Sequence, residues 1–314
     1  MALNSVSPVA IVGRMWQMFS GINDPAWVER LSGAVMQTVL DQVTYVGIGT
    51  VPGLRVWEGA RKSVQLTALP FTIPNKKYEG TLRIQGDDIR RAQDAGMAGQ
   101  VDRSITGLRD RLAQLWGKLT SNLIINGATN LGYDGVAYFS ASHTENMQAV
   151  QTNLVSWVAA TGTTPTAQEF ADSIAAAIAQ LLLLKDDSGE PINMDTNRFI
   201  VMIPPALLPQ ASMALKAQVL VTTAGAVQSN VITVLGDYTF ELMVNPRLTV
   251  ANVYYLFAAD GRAFIRQSRL QLAISSKIDG SDFNHDYDAH EHGVLTIRGV
   301  GYGNWQSAIQ VTFT

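Results

Sequence analysis

The chain has no cysteine, which excludes disulfides, zinc–thiolate sites and thiol catalysis. Charge is scarce as well, at 16% of residues against 47% apolar. Such a composition is ordered and globular, and it leaves more surface than usual for burial against other subunits. Neither sign of charge dominates, since 23 basic and 26 acidic residues give a net of -3. A protein whose main task is gripping nucleic acid carries a basic excess, so that class is disfavoured. No apolar run approaches the roughly 18 residues of a membrane span; the purest are 178–184 and 199–205. The first residues lack a basic region followed by an uninterrupted apolar core, so no signal peptide is expected. These absences point to a soluble protein made in a cytoplasm. With 314 residues there is room for one large domain or two ordinary ones.

What is present is dominated by residues 101–126, the longest helical pattern. Val101, Ile105, Leu108, Leu112, Leu115, Leu119 and Leu123 alternate spacings of four and three, which puts them on one stripe with Trp116 at its edge. Gly107 and Gly117 lie off the stripe, each costing about 1 kcal/mol against Ala, so packing must hold the helix. Asn126-Gly127 is a stop signal. At 1.5 Å per residue the rod is roughly 40 Å long, a spine for other parts.

Upstream, Ser7-Pro8 and Asp24-Pro25 are helix-start signals. The first opens an amphipathic helix over 9–19. The second precedes Trp27, Val28, Leu31, Val35 and Val39. Such a segment suits an arm lying on another surface, or an ordinary core helix. From Tyr45 to Ile84, glycines and prolines cut the chain into short β-like pieces. Arg55, Arg61, Lys62, Lys76, Lys77 and Arg83 outnumber Glu58 and Glu79 there, giving a basic, hairpin-like excursion.

Downstream, 127–142 reads as a loop with aromatic anchors, and Thr166-Ala-Gln-Glu169 is a capping box opening a helix to about Lys185. A buried strand is expected at 198–203 and a Pro-started helix at 205–217. Further strand-like runs are 231–235, 238–244, 253–257, 263–265, 270–274, 294–297 and 308–313. Without a regular βαβ rhythm, α+β is the expected class.

Candidate chemistry is sparse. Residues 281–292 hold three of the four histidines among several carboxylates. His285, Asp286, His290 and His292 could serve a metal-dependent enzyme. The spacing fits no standard cage: Tyr287 stands where a calcium loop needs glycine, and His290-Glu291-His292 is not HExxH. An acidic, solvated connection between strands is the simpler reading. Gly47-Ile-Gly49 and Gly299-Val-Gly301-Tyr-Gly303 read as turns, the former lacking the helix start that a phosphate site requires. No catalytic residue or cofactor is nominated.

Several motifs carry a resemblance. Trp57-Glu58-Gly59-Ala60-Arg61, then Ile73-Pro74-Asn75-Lys76-Lys77-Tyr78-Glu79-Gly80-Thr81 and Asp87-Asp88-Ile89, resemble the N-terminal half of Mu-like bacteriophage major head (capsid) proteins. Tyr133-Asp134-Gly135-Val136-Ala137-Tyr138-Phe139 with His143, and Gly301-Tyr302-Gly303-Asn304-Trp305 near the end, are similar to further motifs of that family. Arg90-Arg91 stand where the family tends to stay acidic.

The resemblance implies the tailed-phage capsid fold of the Hong Kong 97 type. It implies an N-terminal arm over 1–45 and an extended β-hairpin loop over 46–85. The peripheral domain would take 86–160 and 252–314 around spine 101–126, with an axial domain over 161–251. It further implies a structural subunit that builds hexamers and pentamers of an icosahedral head in the host bacterial cytoplasm. Partners would be other copies, portal and scaffold proteins, and weakly held double-stranded DNA; a decoration protein stays open. Trp57, Arg61, Lys62, Lys76, Lys77, Tyr78, Glu79, Asp282, Asp286 and Asp288 are the expected inter-subunit contacts. Arg103, Arg109, Arg111 and Lys118 would face the lumen.

Overall fold

The computed structural model describes residues 8–46, 56–59, 70–94, 98–145, 149–160, 162–221 and 225–314. The first half runs α1 (Pro8–Ser20), α2 (Ala26–Ser32), β1 (Met36–Gln37), β2 (Gln42–Tyr45), β3 (Phe71–Pro74), β4 (Lys76–Gln85), α3 (Gly86–Asp94), α4 (Ala98–Ala113) and α5 (Leu115–Ile125). Next come β5 (Leu154–Trp157), α6 (Ala167–Leu183), β6 (Arg198–Ile203), α7 (Leu208–Lys216), β7 (Val219–Val221), β8 (Val227–Ser229), α8 (Val231–Val234) and β9 (Thr239–Val244). The chain ends with β10 (Val253–Ala258), β11 (Phe264–Lys277), α9 (Asp282–Tyr287), β12 (Ala289–Tyr302) and β13 (Ala308–Phe313).

Two larger sheets organise the described elements, beside the two-stranded pairs β2-β3 and β7-β8. The main one has the order β5-β13-β10-β6-β9 and the other β1-β11-β12-β4. In the main sheet Phe199 to Ile203 and all of β10 are buried, because both faces are covered. Helix α6 packs on this sheet through Phe170, Ile174, Ala177, Ile178 and Leu181. It starts as expected: Thr166 and Glu169 form the reciprocal capping box. The mixture of helix and strand is α+β. Strands β10 and β13 belong to the same sheet as β6 and β9, so 253–258 and 308–313 share a core with the segment between 161 and 251.

The spine is two consecutive helices with an irregularity at Gln114 rather than one rod. Backbone bonds Gln114 N–H to Asp110 O and Lys118 N–H to Gln114 O keep the four-residue spacing across it. Val101, Ile105, Leu112 and Leu119 are buried, while Leu108, Leu115 and Leu123 are half-buried. Helix α4 packs on β4 and β12 through Ile84 and Val294, and on α1 through Ile11, Met15 and Phe19. Helix α1 therefore lies on its own chain's spine, tied there by Arg14 to Asp102 at 2.8 Å.

Two sequence expectations for the spine change. Trp116 is central, 2% exposed and packed with Val28 and Leu119. Gly117 is a contact point: a Cβ there would meet the Trp27 ring at 3.4 Å, so the missing side chain makes room for α2. Helix α2 also stops earlier than the apolar spacing suggests. Gly33 turns at φ +62° against Gly261, which leaves Val35 and Val39 beyond the helix.

Other differences have local causes. The run 231–235 is the helix α8, because Asn230 caps it through Ile232 N–H and donates to the Ala214 and Ala217 carbonyls. The pieces 263–265 and 270–274 are one strand, β11, whose register shifts after Ser268 and Leu270 break the alternation. Gly299 and Gly301 lie in β12 rather than in a turn. A Cβ at Gly299 would lie 2.8 Å from the Pro74 carbonyl, and one at Gly301 would overlap Ile73, so they let β3 cross β12. Of the expected loop 46–85, β3 pairs with β2 and β4 pairs with β12 over ten residues. Residues 47–55 and 60–69 lie outside the described residues.

Candidate functional site

The histidine cluster does not converge. His285 and Asp286 sit exposed on α9, whereas His290 and His292 lie in β12 facing the interior. His290 Nε2 is 2.9 Å from Asp279 Oδ1, and His292 Nδ1 is 2.9 Å from Ser276 Oγ. Among the described residues no group of three or more potential ligands could hold a metal ion. The expected solvated connection is the stretch 278–288; residues 289–292 are strand.

Burial, with a smaller push from His290, pulls the His292 pKa down from 6.5 to about 4. The folded state therefore binds fewer protons than the unfolded chain between those values. Stability from this group is full above pH 6.5 and is lost as pH falls toward 4, by at most about 3 kcal/mol. Urea midpoints at pH 7 and 4.5 check this, and His292→Gln should remove that share of the difference. An identical pH response in both proteins would show that the fold does not hold His292 neutral.

The expected inter-subunit residues divide. Trp57 is 72% exposed beside Val56 at 80%. Lys76, Lys77 and Glu79 are exposed on β4, and Tyr78 is half-buried against the Val28–Trp116 cluster. Asp282 and Asp286 are exposed. Arg61 and Lys62 lie outside the described residues. Asp288 is engaged within the chain: at φ +44° it ends α9 and pairs with Arg90 at 2.6 Å. Arg90 also holds Asp87 at 2.8 Å, which clamps α3 to the end of α9. Its two carboxylates push the Arg90 pKa up, the Asp288 hydrogen bond most. Of the expected lumen residues, Arg103, Arg111 and Lys118 are exposed. Arg109 is half-buried and donates to the Met18 carbonyl, fixing the end of α1.

The motifs 133–143 and 301–305 meet in a buried polar knot. The His143 ring stacks on Trp305 at 4.0 Å and 4°, with Nδ1 2.5 Å from Asp134 Oδ2. Glu145 Oε1 accepts from Trp305 Nε1 and Gln306 Nε2, each at 3.0 Å, and from the Tyr133 hydroxyl. Burial raises the Glu145 pKa, opposed by these donors. Tyr138 stacks on Tyr302 at 4.5 Å and donates to the Ala263 carbonyl, while Tyr302 donates to the Leu123 carbonyl at the end of the spine. Asn193 joins from beyond α6, donating to the carbonyls of Leu181 and Gln306.

Glu145, Gln306 and Asn193 escape sequence reasoning, since no local spacing links positions so far apart. The arrangement is a mechanical brace. It locks the loop after the spine to the last strands and to the end of α6.

A family model described as the Mu-like prophage major head subunit gpT matches residues 19–168. No curated protein sequence matches significantly. Among solved structures, the bacteriophage PhiM1 mature capsid aligns with TM-score 0.54 at 11% identity, over 93% of this chain and 87% of that one. The capsid of a native GTA particle gives 0.54 at 11%, over 94% and 92%. The capsid of cyanophage P-SCSP1u gives 0.51 at 11%, over 89% and 86%. At such identities these structures speak for the fold, and the matched family is one of shell subunits rather than enzymes. With the spine, the brace and the paired sheets laid out above, residues 19–168 match the Mu-like phage major head subunit family, and the chain has the tailed-phage capsid fold of the Hong Kong 97 type.

Proposed function

We propose that copies of this chain pack as hexamers and pentamers into an icosahedral head around double-stranded DNA, assembled in the host bacterial cytoplasm with portal and scaffold proteins. The observation that carries the reading is the coincidence of the family match over 19–168 with a capsid fold along more than nine-tenths of the chain. Exposed large apolar residues such as Trp16, Trp57 and Val158 support it, as side chains available for burial between copies. In this reading 1–45 is the arm, 46–85 the extended loop, and 161–251 the axial domain. The peripheral domain is 86–160 with 252–314, and β10 and β13 form the seam with the axial part.

Electron microscopy of the expressed protein tests the reading. Hexamers or closed shells are the expected result, and a population of monomers or dimers alone would overturn it.

The exposed Lys76 and Lys77 are proposed to meet the acidic α9 surface, Asp282 and Asp286, of a neighbouring copy. Reversing both lysines to Glu should cut particle yield several-fold and make assembly more sensitive to salt. Unchanged yield across a salt series would remove this contact from the account. Arg103, Arg111 and Lys118 are proposed to look into the lumen, where a mild basic face holds DNA by weak, non-specific attraction.

A further inference from the structure

A cleft of about 760 Å³ lies between the arm helices and the β11–β12 sheet. Its floor is the Trp116 ring, and two guanidiniums stand over that ring. Arg266 Cζ is 5.4 Å from the ring centre and Arg298 Cζ is 4.8 Å. They come from diagonal positions on paired strands, since Arg266 faces Val300 and Ser268 faces Arg298. Both are more than nine-tenths buried, Arg266 at 2% exposure and Arg298 at 8%.

Their charges are unevenly met. Arg266 donates from Nη1 to Asp24 at 2.9 Å and from Nη2 to the Gly33 carbonyl at 2.6 Å, yet its buried Nε has no acceptor. Arg298 donates from Nε to Thr296 Oγ1 at 2.9 Å and from Nη2 to the Gln271 carbonyl at 3.5 Å, both neutral acceptors. Asp24 is the carboxylate in contact, and Glu29 lines the cleft from an exposed position. Burying a guanidinium beside a second one is costly unless an anion compensates. A forked, planar donor in a partly dry cleft is well matched to a carboxylate or phosphate group.

We propose that this cleft is an oxyanion site, in which the guanidiniums of Arg298 and Arg266 receive one carboxylate or phosphate group over Trp116. Two sources share that chemistry: a free oxyanion such as inorganic phosphate, and a carboxylate side chain from a second copy of the chain.

The test titrates the full chain, as unassembled subunits, with inorganic phosphate at constant ionic strength. Tryptophan emission and Tm are followed. A saturable change in emission and a rise in Tm that grows with phosphate are expected. Trp116→Phe should silence the emission change and keep the Tm rise. Arg298→Gln should abolish both responses, each read against that variant's own phosphate-free Tm. Arg298→Lys keeps the charge but loses the fork, and should weaken the response about tenfold. That variant carries the test if Arg298→Gln does not fold. No saturable response in the native chain, or a response that survives unchanged in the Arg298 variants, would overturn the proposal. Repeating the titration on assembled particles separates the sources. A response retained there assigns a free oxyanion, and one lost on assembly assigns a carboxylate of the neighbouring copy.

Discussion

Leu112→Asp leaves no folded subunit and therefore no shells. Leu112 is 8% exposed and packs in the cluster that joins α1, α4, β4 and β12, beside Phe19, Ile84, Ile105 and Val294. Removing it forfeits about 2–3 kcal/mol of apolar burial. The new carboxylate must then be dehydrated or held protonated, at several kcal/mol more. A domain stable by only about 5–15 kcal/mol does not survive both losses. Circular dichroism, soluble yield and electron microscopy of the variant read the outcome. The contrast is Lys118→Glu, one turn and a half further along on an exposed position, which should leave shells intact and at most alter DNA filling. Normal shells from Leu112→Asp would mean that the spine does not pack as described.

The second large effect comes from one methyl group. Gly303→Ala places a Cβ inside the contact distance of the Arg262 carbonyl oxygen, and close to Ala263 as well. Backbone meets backbone there, so no side chain can swing away. The segment is also pinned by Gly303 N–H to Ala263 O at 3.0 Å and Asn304 N–H to Arg262 O at 2.8 Å. Relief requires breaking those bonds and shifting Trp305, whose indole closes the knot around Glu145. A loss of roughly 3 kcal/mol or more is expected, the scale of overpacking plus lost buried hydrogen bonds. Chemical denaturation of the purified subunit measures it. Gly107→Ala is the internal comparison: it sits in α4 with nothing within 4 Å of the added carbon. That substitution should raise stability by about 0.5–1 kcal/mol. If the two alanines behave alike, the close approach at Gly303 is not real.

These two glycines show where sequence reasoning stops. Both are the same letter, and both could be taken for turn formers or helix breakers. Only the position of Arg262, forty-one residues before Gly303 in the chain, separates an intolerant site from a tolerant one. The same holds for Gly299 and Gly301, legible as turns and found in a strand because β3 crosses above them. Trp116 repeats the lesson. By period it belongs at the edge of the stripe, yet α2 and two arginines from distant strands make it central.

The candidate surfaces were legible as residue types and only partly as roles. Lys76, Lys77, Asp282 and Asp286 stand exposed as the charge pattern suggested. Asp288 and Arg109, read as outward-facing in the same way, spend their charge on Arg90 and on the Met18 carbonyl within the chain. A sequence shows that a charge exists, and its partner can come from any distance along the chain.

By itself the sequence determined what neighbours within four residues control. That includes the capping box at Thr166 and Glu169, the apolar run of β6, the stripe from Val101 to Leu119, and the aromatic anchors at 133–139. Hydrogen bonding at i+3 and i+4 and the burial of one helix or strand face are short-range effects, so they leave a local signature. Tertiary structure alone decided the junction at Gln114, the full length of β11 through its bulges, the brace of Glu145 with Gln306 and Asn193, and the pair of arginines over Trp116. Each depends on groups that the chain brings together from far apart, and the spacing of residues in a sequence carries no record of those approaches.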